Sequence, residues 1–188
     1  MRTVAVLLAA GGGSRYRGPT HKLLAVLHGL PVWQHALQHV LGAGFDAVVV
    51  VTGAAPLPLP PNVVEAHNPL WATGQASSLR TGIEEADALG ADAVVVGLAD
   101  QPFVPASAWE AVRQAPAEHP IVIATYGGHP GPNPVRLGRD VWPLLPTSGD
   151  VGARDLIRTH PEWVSHIACL GSVADIDTLE DLERWKSC

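Results

Sequence analysis

Sulfur chemistry is nearly absent from this chain. Of 188 residues only Cys169 and Cys188 are cysteines, too few for a disulfide framework and without metal-ligand spacing, so a reducing cytoplasm is the expected compartment. Positive charge is short as well. Twelve Lys and Arg against 18 Asp and Glu leave a net charge of −6, which gives no global attraction to nucleic acid or to an anionic membrane. The aromatic and basic interleaving of single-strand binders is also missing. No apolar run approaches the roughly 20 residues of a membrane span. Val4 to Ala10 is too short, and too soon followed by glycine and cations, for a secretory leader. Charged residues make up 16% and apolar residues 47%, the balance of a globular protein, and the length suits a single domain over residues 1–188.

What is present begins with Val4 to Lys22, VAVLLAAGGGSRYRGPTHK. An unbroken apolar run reads as a strand buried on both faces, as in parallel sheets. Gly11, Gly12 and Gly13 then let the backbone turn and approach a ligand closely, their amides forming an anion nest beside Arg15 and Lys22. Neither the Walker spacing nor the dinucleotide fingerprint is met, since the strand AVVVVTG (Ala47 to Gly53) ends in Thr52 and not in an acid. On the loop alone, a phosphate site and an ordinary glycine turn are equally open.

Further along, Pro31 to Leu41 has helical spacing closed by Gly42 to Gly44, and Val48 to Val51 is a second buried strand. Strand, helix, strand implies a parallel sheet with helices on both faces and a ligand crevice at the carboxyl ends of the strands. Asn62 to Ala66 suits a short strand after the proline-rich connection Ala55 to Pro61. Ser77 or Ser78 is expected to cap a helix, either as routine capping or as part of a phosphate or base site. Ala93 to Asp100 repeats the buried strand and ends on a carboxylate at the crevice, where it suits a magnesium ion brought by a triphosphate; a cap for the helix Pro105 to Arg113 is the alternative. After a strand at Ile121 to Tyr126, Gly127 to Leu137 reads as an irregular loop, with Asn133 held between Pro132 and Pro134. Asp150 reads as the start of a helix. Asp175 and Asp177, two apart, share one face of an extended segment ahead of a helix capped by Thr178 and Asp181. Five of the six tryptophans fit core patterns; Trp71 is placed to line a pocket.

In order and spacing, LAAGGGSR with Lys22, VVVVTG, NPLWATGQASSLRTGI, ADQP, GHPGPNPVRL, SGDVGAR and DIDTLEDL resemble the MobA-like nucleotidyltransferases, and among them the molybdenum cofactor cytidylyltransferases. The resemblance implies an α/β, three-layer Rossmann-like fold with a mostly parallel sheet, and transfer of CMP from CTP to the phosphate of molybdopterin with release of pyrophosphate. It assigns Leu8, Ala9, Ala10, Gly11, Gly12, Gly13, Arg15, Lys22, Thr52, Gly53, Gly74, Ser77, Ser78 and Asp100 to the nucleotide, with Arg15, Lys22 and Asp100 catalytic. Magnesium falls to Asp100 with Asp175 or Asp177, and the acceptor to Gly128, His129 and Asn133. Ala9-Ala10-Gly11 goes with cytidine in this family, where Ala-Gly-Gly goes with guanine. Arg17 stands where the family usually has glycine, and Asn133 where its cytidylyltransferases usually have histidine. A molybdenum hydroxylase apoenzyme is an implied partner; another phosphorylated acceptor on the same fold, or a non-catalytic maturation partner, is the alternative.

Overall fold

The structure is a computed structural model that describes residues 1–187; Cys188 lies outside them. Strand β1 (Thr3–Ala9) is followed by a two-residue hairpin, β2 (Val26–Leu27) and β3 (Leu30–Pro31), then helix α1 (Val32–Leu41) and strands β4 (Ala47–Thr52) and β5 (Val64–His67). Helix α2 (Gln75–Ala88), β6 (Ala93–Leu98), α3 (Ala106–Gln114), β7 (Ile121–Tyr126), β8 (His129–Gly138), α4 (Arg154–Thr159), β9 (Val164–Cys169) and α5 (Leu179–Lys186) complete the chain. Seven strands form one sheet in the order β5-β4-β1-β6-β8-β7-β9. Only β8 runs antiparallel to its neighbours.

The alternation of β1 shows why its sequence is apolar throughout. Ala5, Leu7 and Ala9 enter a core with Trp33, Leu37 and Val40 of α1 and Trp109 and Val112 of α3. Val4, Val6 and Leu8 enter the opposite core with Leu79, Ile83 and Ala86 of α2 and Leu156 of α4. Both faces of the strand are therefore dry, which is the three-layer arrangement. The chain moves from β1 outward to β4 and β5, then returns to place β6 on the other side of β1. Such a reversal opens a crevice at the carboxyl ends of the strands involved, here Ala9 and Leu98.

Three expectations are corrected. Helix α2 begins at Gln75, with Gly74 at its N-cap and no side-chain cap, so Ser77 and Ser78 lie inside the first turns. Gly127 to Leu137 is not an irregular loop but a tight turn followed by the long strand β8. Its prolines are compatible because β6 pairs only with Val135 to Gly138, while Pro130 faces only β7 across a register shift at Ile123 and Thr125; proline tolerates such edge positions. The piece before α5 is not a strand: Asp175 to Asp177 is irregular, held by the Ile176 amide donating to Asp100 O at 2.9 Å.

Helix α2 packs very closely on the sheet at Gly82, where a Cβ would meet Val6 Cγ1 at 2.4 Å and Val51 Cγ2 at 3.0 Å. Alanine gains about 1 kcal/mol over glycine within a helix, but overpacking costs about 1–3 kcal/mol, and a contact of 2.4 Å with a β-branched core residue puts the cost at the upper end. Gly82→Ala is expected to lose about 1–2 kcal/mol of stability in urea unfolding. A gain would show that α2 is free to lift.

Candidate active site

The loop after β1 and the 3-10 turn at Lys22–Leu24 face each other across a cleft. The amides of Gly11 to Ser14 donate to no other described residue, leaving them for an anion. His21 bridges the two pieces: in its neutral form Nε2–H donates to Gly11 O at 2.9 Å and Nδ1 accepts from the Leu23 amide at 3.3 Å. The Lys22 stem rests on Gly13, whose φ is +62° and whose added Cβ would lie 3.1 Å from Lys22 Cγ.

The Lys22 ammonium is the hub of the site. It donates to Asp100 Oδ2 at 2.6 Å and to Asp177 Oδ1 at 2.7 Å, while Arg15 Nη2 meets Asp177 Oδ2 at 2.7 Å. Burial opposes the lysine charge, but the two carboxylates outweigh it and raise its pKa above the ordinary value, so it stays protonated. Asp100 Oδ1 is buried with no hydrogen-bond partner. Asp175 has no ion pair among the described residues; burial, then the charges of Asp177 and Asp100, push its carboxyl up. Among the described residues no group of three acidic, histidine or cysteine side chains is arranged to hold a metal ion, but the orphaned Asp100 oxygen with Asp177 across Lys22 fits a magnesium ion, which takes one or two protein carboxylates and the rest of its ligands from phosphate and water.

Asp175 and Asp177 share the cleft because Ile176 between them is fully buried with Ala25, Leu27, Val32 and Leu182. The capping box Thr178 and Asp181 holds the following helix in place. The resulting cavity, about 620 Å³, is lined by Leu8, Ala9, Ala10, Gly11, Gly12, Gly13, Arg15, Lys22, Gly74, Ser78, Asp100, Asp175 and Asp177 of the expected residues. Six expected residues lie outside this lining. Thr52 is buried and its hydroxyl donates to Glu65 at 2.7 Å. Gly53 gives way to its neighbours, since a Cβ there would lie 2.8 Å from Ala10 and 2.9 Å from Trp71. The Ser77 hydroxyl lies 2.9 Å from Gly74 O and 3.1 Å from Leu70 O. His129 follows the turn Gly127-Gly128 and pairs with Tyr126 beyond the cavity, so neither Gly128 nor His129 lines it. Asn133 is buried, donates to Gln101 at 2.9 Å and lines an adjoining apolar slot; it braces the residue after Asp100.

Trp71 lines the cavity as its place in the sequence suggests, its ring lying over Gly12, where a Cβ would come within 2.8 Å of it. Other wall residues were not singled out for the site. Gln75, Asp150 and Arg154 complete the wall. The Ser148–Gly152 segment is clamped on α2, with the Ala76 amide donating to Gly149 O at 2.9 Å and the Gln75 amide to Asp150 Oδ1 at 3.3 Å. Gly74, at φ +115°, has no room for a side chain beneath Gly149. The available signal was SGDVGAR, whose paired glycines suit such a clamp. A second cavity, about 630 Å³, opens at the other end of the strands. Arg136 there gives its guanidinium to the carbonyls of Ala115 and Pro116, and no glycine nest accompanies it.

A glycine nest, a double ion pair and a carboxylate cluster at the reversal of a parallel sheet define a nucleotide-binding α/β protein. The model for the MobA-like NTP transferase domain matches residues 5–164, and the chain belongs to that family. It is similar to the bifunctional protein GlmU of Caulobacter vibrioides, 32% identical over 93% of this chain and 29% of that protein. It is also similar to the purine catabolism protein PucB of Bacillus subtilis, 28% identical over 96% and 94%. Rv0371c from Mycobacterium tuberculosis H37Rv superposes with a TM-score of 0.83 at 25% identity, covering 100% of this chain and 99% of that one. The chain spans about a third of the bifunctional relatives, 29% of GlmU and 34% of IspD/IspF from Maricaulis maris. Among the described residues no helix is long and apolar enough to cross a membrane.

Burial, and secondarily Lys22, lower the His21 pKa below its ordinary 6.5 despite the bond to Gly11. A depressed histidine pKa means the unfolded chain binds protons more readily, so the contribution of His21 is complete above 6.5 and is lost as pH falls through the lower folded value. The stability advantage of wild type over His21→Ala in urea should therefore shrink between about pH 7.5 and about pH 5. An advantage independent of pH would remove the neutral bridge.

Proposed function

We propose that the chain transfers CMP from CTP to the phosphate of molybdopterin, releasing pyrophosphate, with magnesium as the working cation. The observation that carries nucleotidyl transfer is the Lys22 ammonium, bound to Asp100 and Asp177 beside a loop of free amides. Loop amides and cations gather phosphate oxygens, and the cavity of about 620 Å³ is within the range of small-molecule sites. A cytidine base is supported by Ala9-Ala10-Gly11 and by the order of motifs shared with the cytidylyltransferases.

In the reaction, an oxygen of the acceptor phosphate attacks the α-phosphorus of CTP. The bond from that phosphorus to the bridging oxygen of the β-phosphate breaks, and its electron pair leaves with pyrophosphate. The nucleophile is already anionic near pH 7, so no general base and no covalent enzyme intermediate are required. Lys22, Arg15 and the amides of Gly11 to Ser14 hold the phosphates in line, while Trp71 and Gly74 wall the nucleotide side of the cleft. A magnesium ion bound by Asp100 and Asp177, with Asp175 beside them, would supply neutralisation of charge on the departing pyrophosphate.

One observation favours a second acceptor. Gly128 and His129 lie outside the cavity, and Asn133 is occupied with Gln101, so a different phosphorylated small molecule on the same machinery is the other reading. A molybdenum hydroxylase apoenzyme, as the protein that receives the product, belongs only to the first.

Radiolabelled CTP with purified molybdopterin should yield pyrophosphate and a labelled dinucleotide, with GTP much slower. Turnover only with another phosphorylated acceptor would move the assignment to the second reading; CTP bound without any turnover would make the chain a binding protein. Asp100→Asn and Lys22→Ala are each expected to lower kcat/KM by about 10²–10³, with the cooperative unfolding transition retained. Near-normal rates in both would remove these residues from the mechanism.

A further inference from the structure

The Lys22 ammonium lies between the two carboxylate oxygens that a divalent ion would join, 2.6 Å from Asp100 and 2.7 Å from Asp177. A magnesium ion joining those same two oxygens at about 2.1 Å would need the same gap, so on Asp100 Oδ2 and Asp177 Oδ1 the two cations exclude one another. The side chain is only 12% exposed, which makes the lysine a firm occupant. Its stem is supported by Gly13 as far as Cδ, the nearest Lys22 atoms to an added Cβ being Cγ and Cδ at 3.1 and 3.5 Å. The stem is therefore seated on the glycine loop, while the ammonium is held by the carboxylates.

Resting on the nucleotidyltransferase reading, we propose that Lys22 is a tethered stand-in for the metal: its ammonium holds the Asp100–Asp177 position in the nucleotide-free protein and vacates it when triphosphate oxygens offer it another partner. Two consequences follow. The divalent ion binds weakly by itself, and it binds well only together with the nucleotide, since the phosphates supply both the missing metal ligands and the destination for Lys22. Cation and nucleotide are then positively coupled, and the coupling is reciprocal. Arg15 is not such an occupant, because its side chain is 74% exposed and contacts only the outer oxygen of Asp177.

Manganese alone is the probe, with free Mn²⁺ followed by electron paramagnetic resonance. Lys22→Met, which removes the competing charge, should bind Mn²⁺ at least about tenfold more tightly than wild type without nucleotide, a change worth about 1.4 kcal/mol. Lys22→Gln keeps a hydrogen-bond donor between the carboxylates and serves if the methionine variant does not fold; it should shift in the same direction. Arg15→Gln should change Mn²⁺ affinity by less than about threefold. Unchanged or weaker Mn²⁺ binding in the folded Lys22 variant overturns the stand-in. Calorimetry of CTP with Mg²⁺ on wild type separates the two levels: no binding would sink the nucleotidyltransferase reading, whereas binding with unaltered Mn²⁺ affinity in the variants would sink only the competition.

Discussion

An ammonium shared by two carboxylates from distant parts of the chain is the constraint on which the site depends. Asp100 lies in the turn two residues beyond the return strand β6, and Asp177 precedes the last helix, 77 positions later. Two negative charges about 5 Å apart repel by roughly 3 kcal/mol at an effective dielectric of 20. Against this stand the burial of Ile176, about 2–3 kcal/mol, and its amide bond to Asp100 O, about 1 kcal/mol. Those terms roughly balance the repulsion of one pair, and Asp175 adds a third carboxylate. A positive charge inside the cluster offsets the repulsion that remains, and Lys22 is the part-buried group that supplies it.

The second constraint is close approach. Glycine at position 12 admits the Trp71 ring, and glycine at 53 admits both Ala10 and Trp71. The first loop is thus sandwiched between an aromatic ring and the end of β4, while His21 ties its outer side to the Lys22 turn. Among the described residues the amides of Gly11 to Ser14 donate to no protein partner, and these residues line the cavity. Gly74 and Gly149 meet as closely on the opposite wall, where the N-terminus of α2 and the Ser148–Gly152 segment exchange backbone hydrogen bonds.

Strands with both faces buried were readable from the chain because burial on two sides removes all polarity: Val4 to Ala9, Val48 to Val51 and Ala93 to Leu98 carry no competing period. Asp100 was readable for the related reason that a carboxylate directly after such a run must lie at the strand end. β8 was hidden by Pro130, Pro132 and Pro134, which argue against a strand unless only one neighbour is present, and pairing is not visible locally. Ser77 and Ser78 were misplaced because a serine pair resembles a cap, whereas Gly74 opens α2 through a backbone conformation that leaves no polar signature. Asp150 reads as the start of a helix, but that helix begins at Arg154 without a side-chain cap; the places of Asp150 and Arg154 in the wall follow from a loop docked on a helix about 75 residues earlier, a tertiary fact with no local period.

Electrostatics then connects the acidic composition to the chemistry. Arg15, Lys22 and Arg154 line the cavity with Asp100, Asp150, Asp175 and Asp177, three cations against four carboxylates, within a chain of net charge −6. A bare triphosphate entering that field is repelled by the aspartates as strongly as it is drawn by the lysine. On the proposed mechanism a divalent ion would reverse the balance, satisfying the carboxylates and freeing Lys22 for the phosphates. A strongly basic cavity would bind free nucleotide and product pyrophosphate alike; a cavity that becomes attractive only with the ion selects the metal-bound form and releases its anionic product more easily. On that reading the carboxylate excess would serve discrimination, with Lys22 placed where the two charge states exchange.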